Sequence, residues 1–307
     1  MKEMKKKMTK KEFDYQIDRN SFKEKNVKSK KFLVVFDGFK FSESALEYAI
    51  QLSKEADAFL VGVFLDEFIY RTYSVAQILT SYKNGEELIK ELDEKDKEKR
   101  DESVRKFEKV CGQASINYSF HRNVGVAIQE LKQESIFADL IVINDSETFN
   151  RLDENTPPRF IKELLADVQC PVLIVPDKFK PIDKITLLYD GAPSSVFAIK
   201  MFSYLFSYLQ DVPIDVLTII EKDIIAPQLP GTILMTDFLG LRFSNFTSKL
   251  LKGNAEEMII SHLLAGGENQ FVVLGAYRRS GFSRWLKPSM ADTLMIGLDL
   301  PLFIAHD

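Results

Sequence analysis

The chain has 307 residues, 45% of them hydrophobic and 28% charged, with a net charge of −4. That length and apolar share allow ample core and about two domains. They come with no apolar run near the ~18 residues of a membrane-spanning helix and no apolar segment behind the basic N-terminus that would make a secretory signal. Two cysteines, Cys111 and Cys170, are too few for a disulfide framework, and Cys170, ahead of a proline at the head of an apolar run, reads as a buried small side chain. The expectation is a cytoplasmic protein.

Residues 1–31 hold 12 Lys/Arg against 5 Asp/Glu, which leaves −11 on the rest. The segment 1–30 is expected to be a solvated basic tail. The acidic body argues against nucleic acid as a partner.

Strands are predicted over 32–36, 59–65, 116–121, 139–143 and 172–175, alternating with helices over 43–55, 86–111, 124–135 and 157–168. Ser42 is the expected cap of the first helix, and Thr156 with Pro157 the expected start of the fourth. Between Leu92 and Val104 there is no apolar residue, so the second helix is expected to run out into solvent there. Lys95 and Lys99 offer i,i+4 partners to nearby acids. A second series follows, with strands over 185–189, 214–220, 245–251, 271–274 and 302–305 and a shortened helix near 232–242. Nearly continuous apolar strands alternating with helices predict α/β units with a doubly wound parallel sheet.

The two series repeat one another. "KKFLVVFDGFKFSESALEYAIQL" (31–53) and "DKITLLYDGAPSSVFAIKMFSYL" (183–205) each run from an apolar strand through Asp-Gly and a serine-bearing loop into a helix. "ADLIVIN" parallels "NQFVVLG", and "CPVLIVP" parallels "LPLFIAH". The domains are therefore expected at 31–177 and 183–307, joined by "DKFKPID".

The most informative stretch is "GAYRRSGFSRWLKPS", residues 275–289. With the strand-Asp-Gly-loop-Ser-helix openings and the "CPVLIVP" closing strand, it resembles the universal stress protein family in its tandem form. The resemblance implies two five-stranded Rossmann-like domains of the adenine nucleotide alpha hydrolase type. It also implies pairing of the last strands into an internal pseudo-dimer, with a further homodimer as an extension. Nucleotide-binding members carry a glycine, two residues, a glycine, nine residues, then glycine and serine or threonine. Here that spacing falls on Gly275, Arg278, Pro288 and Ser289, so two of the three glycines are replaced.

Glycine admits close backbone approach and positive φ, and Pro288 has no N–H to give a phosphate. Yet Arg278, Arg279, Arg284 and Lys287 stand in this stretch with no acid, and guanidinium forks suit phosphate. Ser289 with Asp292 reads as a helix-capping pair. By the resemblance, Asp190 would meet the adenosine and Ile219 line the adenine slot, in a cofactor site of Asp190, Gly191, Ile219, Gly275, Arg278, Arg279, Ser280 and Ser289 with ATP or AMP as the ligand. The alternatives are that Asp190 caps its own turn, that Ile219 is core, and that the arginines are surface residues.

In the first half the matching segment is "DSETFNRLDENTPPRF". Asn144 and Glu147 replace glycines, and Asp145, Glu147, Asp153 and Glu154 oppose a polyphosphate, although Asp37 is kept. No phosphate site is expected there. His121, His262 and His306 have no metal-ligand spacing, and no nucleophile elbow or Walker-type loop occurs. The expectation is a non-catalytic stress-response protein with unknown protein partners. A nucleotide sensor working through the second half is the alternative.

Overall fold

The computed structural model describes residues 28–37, 40–67, 85–149, 154–220, 231–275 and 288–305. The first half runs β1 (Lys31–Asp37), α1 (Glu43–Glu55), β2 (Phe59–Glu67), α2 (Gly85–Ala114), β3 (Tyr118–Gly125), α3 (Ala127–Ser135), β4 (Leu140–Asn144), α4 (Arg159–Asp167) and β5 (Val172–Val175). The second runs β6 (Lys184–Leu188), α5 (Pro193–Leu205), a 3-10 turn at Ser207–Leu209, β7 (Ile214–Ile220), α6 (Thr232–Gly240), β8 (Phe246–Lys252), α7 (Ala255–Ala265), β9 (Gln270–Gly275), α8 (Pro288–Gly297) and β10 (Leu302–Ala305).

All ten strands join one sheet in the order β3-β2-β1-β4-β5-β10-β9-β6-β7-β8. Within each half the strands are parallel, and the two series keep the same order about their own first strand. At the midline β5 and β10 pair antiparallel, Phe303 opposite Leu173, so each half covers the other's open edge. Register fixes the correspondence between halves. Phe32 lies beside Leu60 and Leu140, and Ile185 beside Ile214 and Phe271.

Both faces of the sheet are buried, which is why the strands are apolar throughout. One face carries Phe32, Phe36 and Phe107 from the first half and Phe202, Phe206, Phe271 and Phe303 from the second in a single apolar cluster. Phe206 meets Phe32 edge-on at 6.2 Å, so the aromatic packing crosses between halves. The other face packs α3, α4, α7 and α8 against residues such as Leu33, Ile141, Ile174, Leu217 and Ile304.

Several local expectations shift. Ser42 does cap α1, accepting from the Ala45 N–H at 3.1 Å. Helix α4 starts two residues later than expected, at Arg159. Pro158 stands at its cap position, and Thr156 and Pro157 lie outside it. The cap oxygen comes from Glu154, which accepts the Arg159 N–H at 2.8 Å. Ser289 is the second residue of α8, inside the helix and not at its cap position. Pro288 opens that helix, where its missing N–H interrupts no intrahelical bond. Strand β3 runs to Gly125, past its expected end, because an edge strand pairs through backbone and tolerates the polar run His121–Arg122–Asn123. In α2 residues 97–99 are exposed, and Val104 and Phe107 lie in the core.

Candidate functional site

In each half the strand order reverses direction between the first and fourth strands, and the crevice at their carboxyl ends is where open α/β sheets take ligands. In the second half β6 and β9 bound it. Asp190 follows β6 and is buried. Its Oδ1 accepts the Ala192 N–H at 2.9 Å, which closes the Asp-Gly turn. Gly191 sits at φ +81°, a conformation only glycine adopts freely. Gly275 ends β9, and a Cβ there would lie 2.6 Å from the backbone C and O of Ser194 and 2.7 Å from the Ser195 N. The first turn of α5 therefore rests directly on the end of β9. Ile219 is 1% exposed in the apolar cluster with Leu188, Leu217 and Ile259. Arg278, Arg279 and Ser280 lie outside the described residues, as do Arg284 and Lys287.

The first-half crevice has other chemistry. Asn144, at the position of Gly275, is buried and ties the loop together. Its Nδ2 donates to the Val175 carbonyl at 3.3 Å and to Asp177 Oδ1 at 3.2 Å, and its Oδ1 accepts the Ser146 N–H at 3.0 Å. Beside it stand carboxyls with little to neutralise them. Burial, then Asp177 and Asp299, push Asp145 up to about 7. Burial, then the charge of Asp37, push Glu147 up to about 8, with Lys40 pulling the other way. Glu147 is 2% exposed, and its Oε2 has no hydrogen-bond partner among the described residues. A polyphosphate brought here would meet carboxyls, Asp145 half-buried and Glu147 buried, in place of the backbone donors of a glycine loop.

Two ionic clusters lie at the opposite ends of the strands, where the sequence motifs gave no hint of them. In the first half Glu134 on α3 accepts from His121 Nδ1 at 2.6 Å and from Lys31 Nζ at 3.4 Å. Burial raises the Glu134 carboxyl, but His121 and Lys31 outweigh it and hold it below its ordinary value. In the second half Asp215 on β7 takes Lys184 at 2.6 Å, Lys249 at 2.8 Å and His262 Nε2 at 3.2 Å, all on Oδ2. Burial raises Asp215 and the two lysines outweigh it, so it too is lowered. Burial, then Lys249, keep His262 below its ordinary value. Each cluster draws on elements far apart in the chain, so no local pattern could reveal it.

Among the described residues no group of His, Cys, Asp and Glu is arranged to hold a metal, and no helix is long and apolar enough to cross a membrane. Cys111 and Cys170 are buried, and burial pushes both thiols up to about 12.

No protein-family model and no curated protein matches the chain in sequence. Its structure does match solved ones. A universal stress protein from Archaeoglobus fulgidus aligns over 90% of this chain and 98% of its own, with TM-score 0.61 and 15% identity. A protein provisionally designated a universal stress protein, from Pseudomonas aeruginosa, aligns over 90% and 93% with TM-score 0.55 and 16% identity. A functionally unknown protein from Pseudomonas aeruginosa aligns over 90% and 92% with TM-score 0.53 and 14% identity. Identities this low speak for architecture alone: the chain has the fold of the universal stress proteins, two Rossmann-like α/β units in one polypeptide.

Proposed function

We propose that the chain is a non-catalytic universal stress protein of the tandem form, working in the cytoplasm through protein partners, with a C-terminal anion cradle that no longer grips a nucleotide. The observation that carries this reading is the close seat of Gly275 on the first turn of α5. The backbone of Ser194 and Ser195 lies within 2.7 Å of where its Cβ would stand, and Asp190 is already engaged by Ala192. Pro288 opens α8 without a donor, in the turn that would face a phosphate. In the first half Asn144 replaces the glycine, and the carboxyls of Asp145, half-buried, and Glu147, buried, stand where a phosphate would want donors. The domains 31–177 and 183–307 act as an internal pair through β5 and β10. Equilibrium binding of labelled ATP and AMP tests the reading: no saturable binding is expected at millimolar nucleotide. ATP turnover above background that disappears in Asp190→Ala would overturn its non-catalytic part.

A second reading is favoured by charge. Residues 275–289 contain four cations and no acid. In that case the second half is a sensor of ATP or AMP, held by Asp190, Gly275, Arg278 and Ser289. Tight nucleotide binding abolished by Arg278→Glu would put this reading in place of the first.

A further inference from the structure

Beside the first ionic cluster lies a cavity of about 190 Å³, lined by Lys31, His121, Asn123, Glu130, Glu134 and Phe137, with Gln133 at its side. It has room for several waters. Two of its groups are left over. Asn123 is 8% exposed, and its Nδ2 is a buried donor without an acceptor among the described residues. Such a group costs stability unless something accepts from it. Glu130 is half-buried and has no cation partner among the described residues, although Glu134 stands near it. Burial, then the Glu134 charge, raise its pKa. His121 and Glu134 already satisfy each other, while Lys31 holds Glu134 only at 3.4 Å.

The second half supplies a control. Register places Asn123 opposite Leu65 and Leu251 opposite Ile219, so Asn123 and Leu251 are counterparts. By the same count Gly125 corresponds to Gly253, Glu130 to Met258 and Glu134 to His262. The local geometry repeats. A Cβ on Gly125 would meet Glu130 Oε1 at 2.8 Å, and one on Gly253 would meet Met258 Cγ at 3.1 Å. In the second half the pair is apolar, and Leu251 and Met258 pack against the core. The fold therefore does not need a polar pair at these positions, yet the first half has one, facing a cavity.

We infer that this cavity binds a small zwitterion of the free α-amino acid class, whose carboxylate accepts from Asn123 Nδ2 and Lys31 while its ammonium faces Glu130. One lysine against two carboxylates suits a molecule bearing both charges better than an anion alone. Phe137, 70% exposed at the mouth, gives the ligand's side chain an apolar wall. The site is independent of the nucleotide crevice and of the stress-protein reading.

The test is calorimetric titration of the full chain with the twenty free L-amino acids at millimolar concentration, and with acetate and methylammonium as single-charge probes. Saturable binding of at least one amino acid is expected, with both single-charge probes at least tenfold weaker. The double variant Asn123→Leu/Glu130→Met, which installs the second half's own residues, should keep its circular dichroism spectrum and lose binding at least tenfold. Glu130→Gln, a smaller change, provides the same readout if the double variant fails to fold. The inference is overturned by no saturable binding across the panel, by acetate binding as tightly as the best amino acid, or by binding that survives Glu130→Gln unchanged.

Discussion

The two halves share strand order, register and helix placement, yet they treat charge in opposite ways at both ends of the sheet. At the carboxyl ends the first half buries acids with little compensation, Asp145 and Glu147. The second half has there a glycine pressed on backbone and an aspartate closing its own turn. At the amino ends the acid sits on the helix in the first half and on the neighbouring strand in the second, and the imidazole makes the reverse exchange: Glu134 with His121, against Asp215 with His262. Position in the fold sets where charge collects. At the amino ends the acid and the imidazole are free to change element, provided the buried acid there keeps its cations.

The sharpest way to break that comparison is at the second cluster. Asp215→Ala leaves Lys184, Lys249 and His262 facing one another with no acid between them. Losing the acid of such a group should cost about 3 kcal/mol. Glu134→Ala removes the acid from only two partners and should cost less. Urea midpoints of the two variants, measured at neutral pH, decide it, and equal losses would mean that the third cation contributes nothing.

Neither cluster was legible in the sequence, and the reason is physical. Lys31, His121 and Glu134 belong to three elements brought together by the sheet, and none carries a local pattern beyond a charged residue near an apolar run. The strands were legible because burial on both faces makes them apolar throughout, as in Leu33–Phe36 and Leu140–Ile143. The edge strand β3 was misplaced because one-sided burial lets His121, Arg122 and Asn123 into it. Glu154 escaped notice as the α4 cap because its oxygen comes from five residues upstream, outside the usual capping positions. Gly275 was legible as the glycine that closes its strand, but its contact with the α5 backbone depends on how two distant segments meet.

That contact yields the next test. Gly275→Ala places a Cβ 2.6 Å from backbone that cannot swing aside as a side chain would. A loss of about 2 kcal/mol is expected. At the corresponding place Asn144 already carries a side chain, and Asn144→Ala should cost about 1 kcal/mol through the hydrogen bonds it leaves unmade. Thermal or urea midpoints for the pair would contradict this account of the crevice if the glycine proved the more tolerant.

The carboxyls give the comparison a sign. Glu147 titrates near 8 in the folded protein, above its ordinary value, so the folded state binds more protons than the unfolded one in between. Its contribution to stability is full below the ordinary carboxylate range and is lost as pH rises through about 8. Asp215 is lowered, so its contribution is present above its ordinary value and is lost as pH falls through its folded value. Glu147→Gln should therefore raise stability at pH 8–9 by roughly 1–2 kcal/mol and flatten the decline with rising pH. Urea midpoints at several pH values between 5 and 9 measure both effects. An unchanged slope in the variant would mean that Glu147 is already ionised well below neutral pH.

The smallest effect is expected where the halves touch through charge. Lys162 on α4 approaches Asp292 on α8 at 3.9 Å, with Lys162 half exposed. The direction of the Asp292 shift limits what this pair can do. Burial raises that carboxyl, and the attraction of Lys162 does not overcome it. A strongly coupled partner would have lowered it, as Lys184 and Lys249 do for Asp215. Removing Lys162 should then change stability by no more than about 0.5 kcal/mol, and a double-mutant cycle of Lys162→Ala with Asp292→Ala should return a coupling of that size or less. The halves would be held by the β5–β10 pairing and by aromatic contacts such as Phe32 with Phe206. A coupling above about 1 kcal/mol would move part of that cohesion onto the ion pair, and salt would then loosen the two halves as well as weaken each cluster.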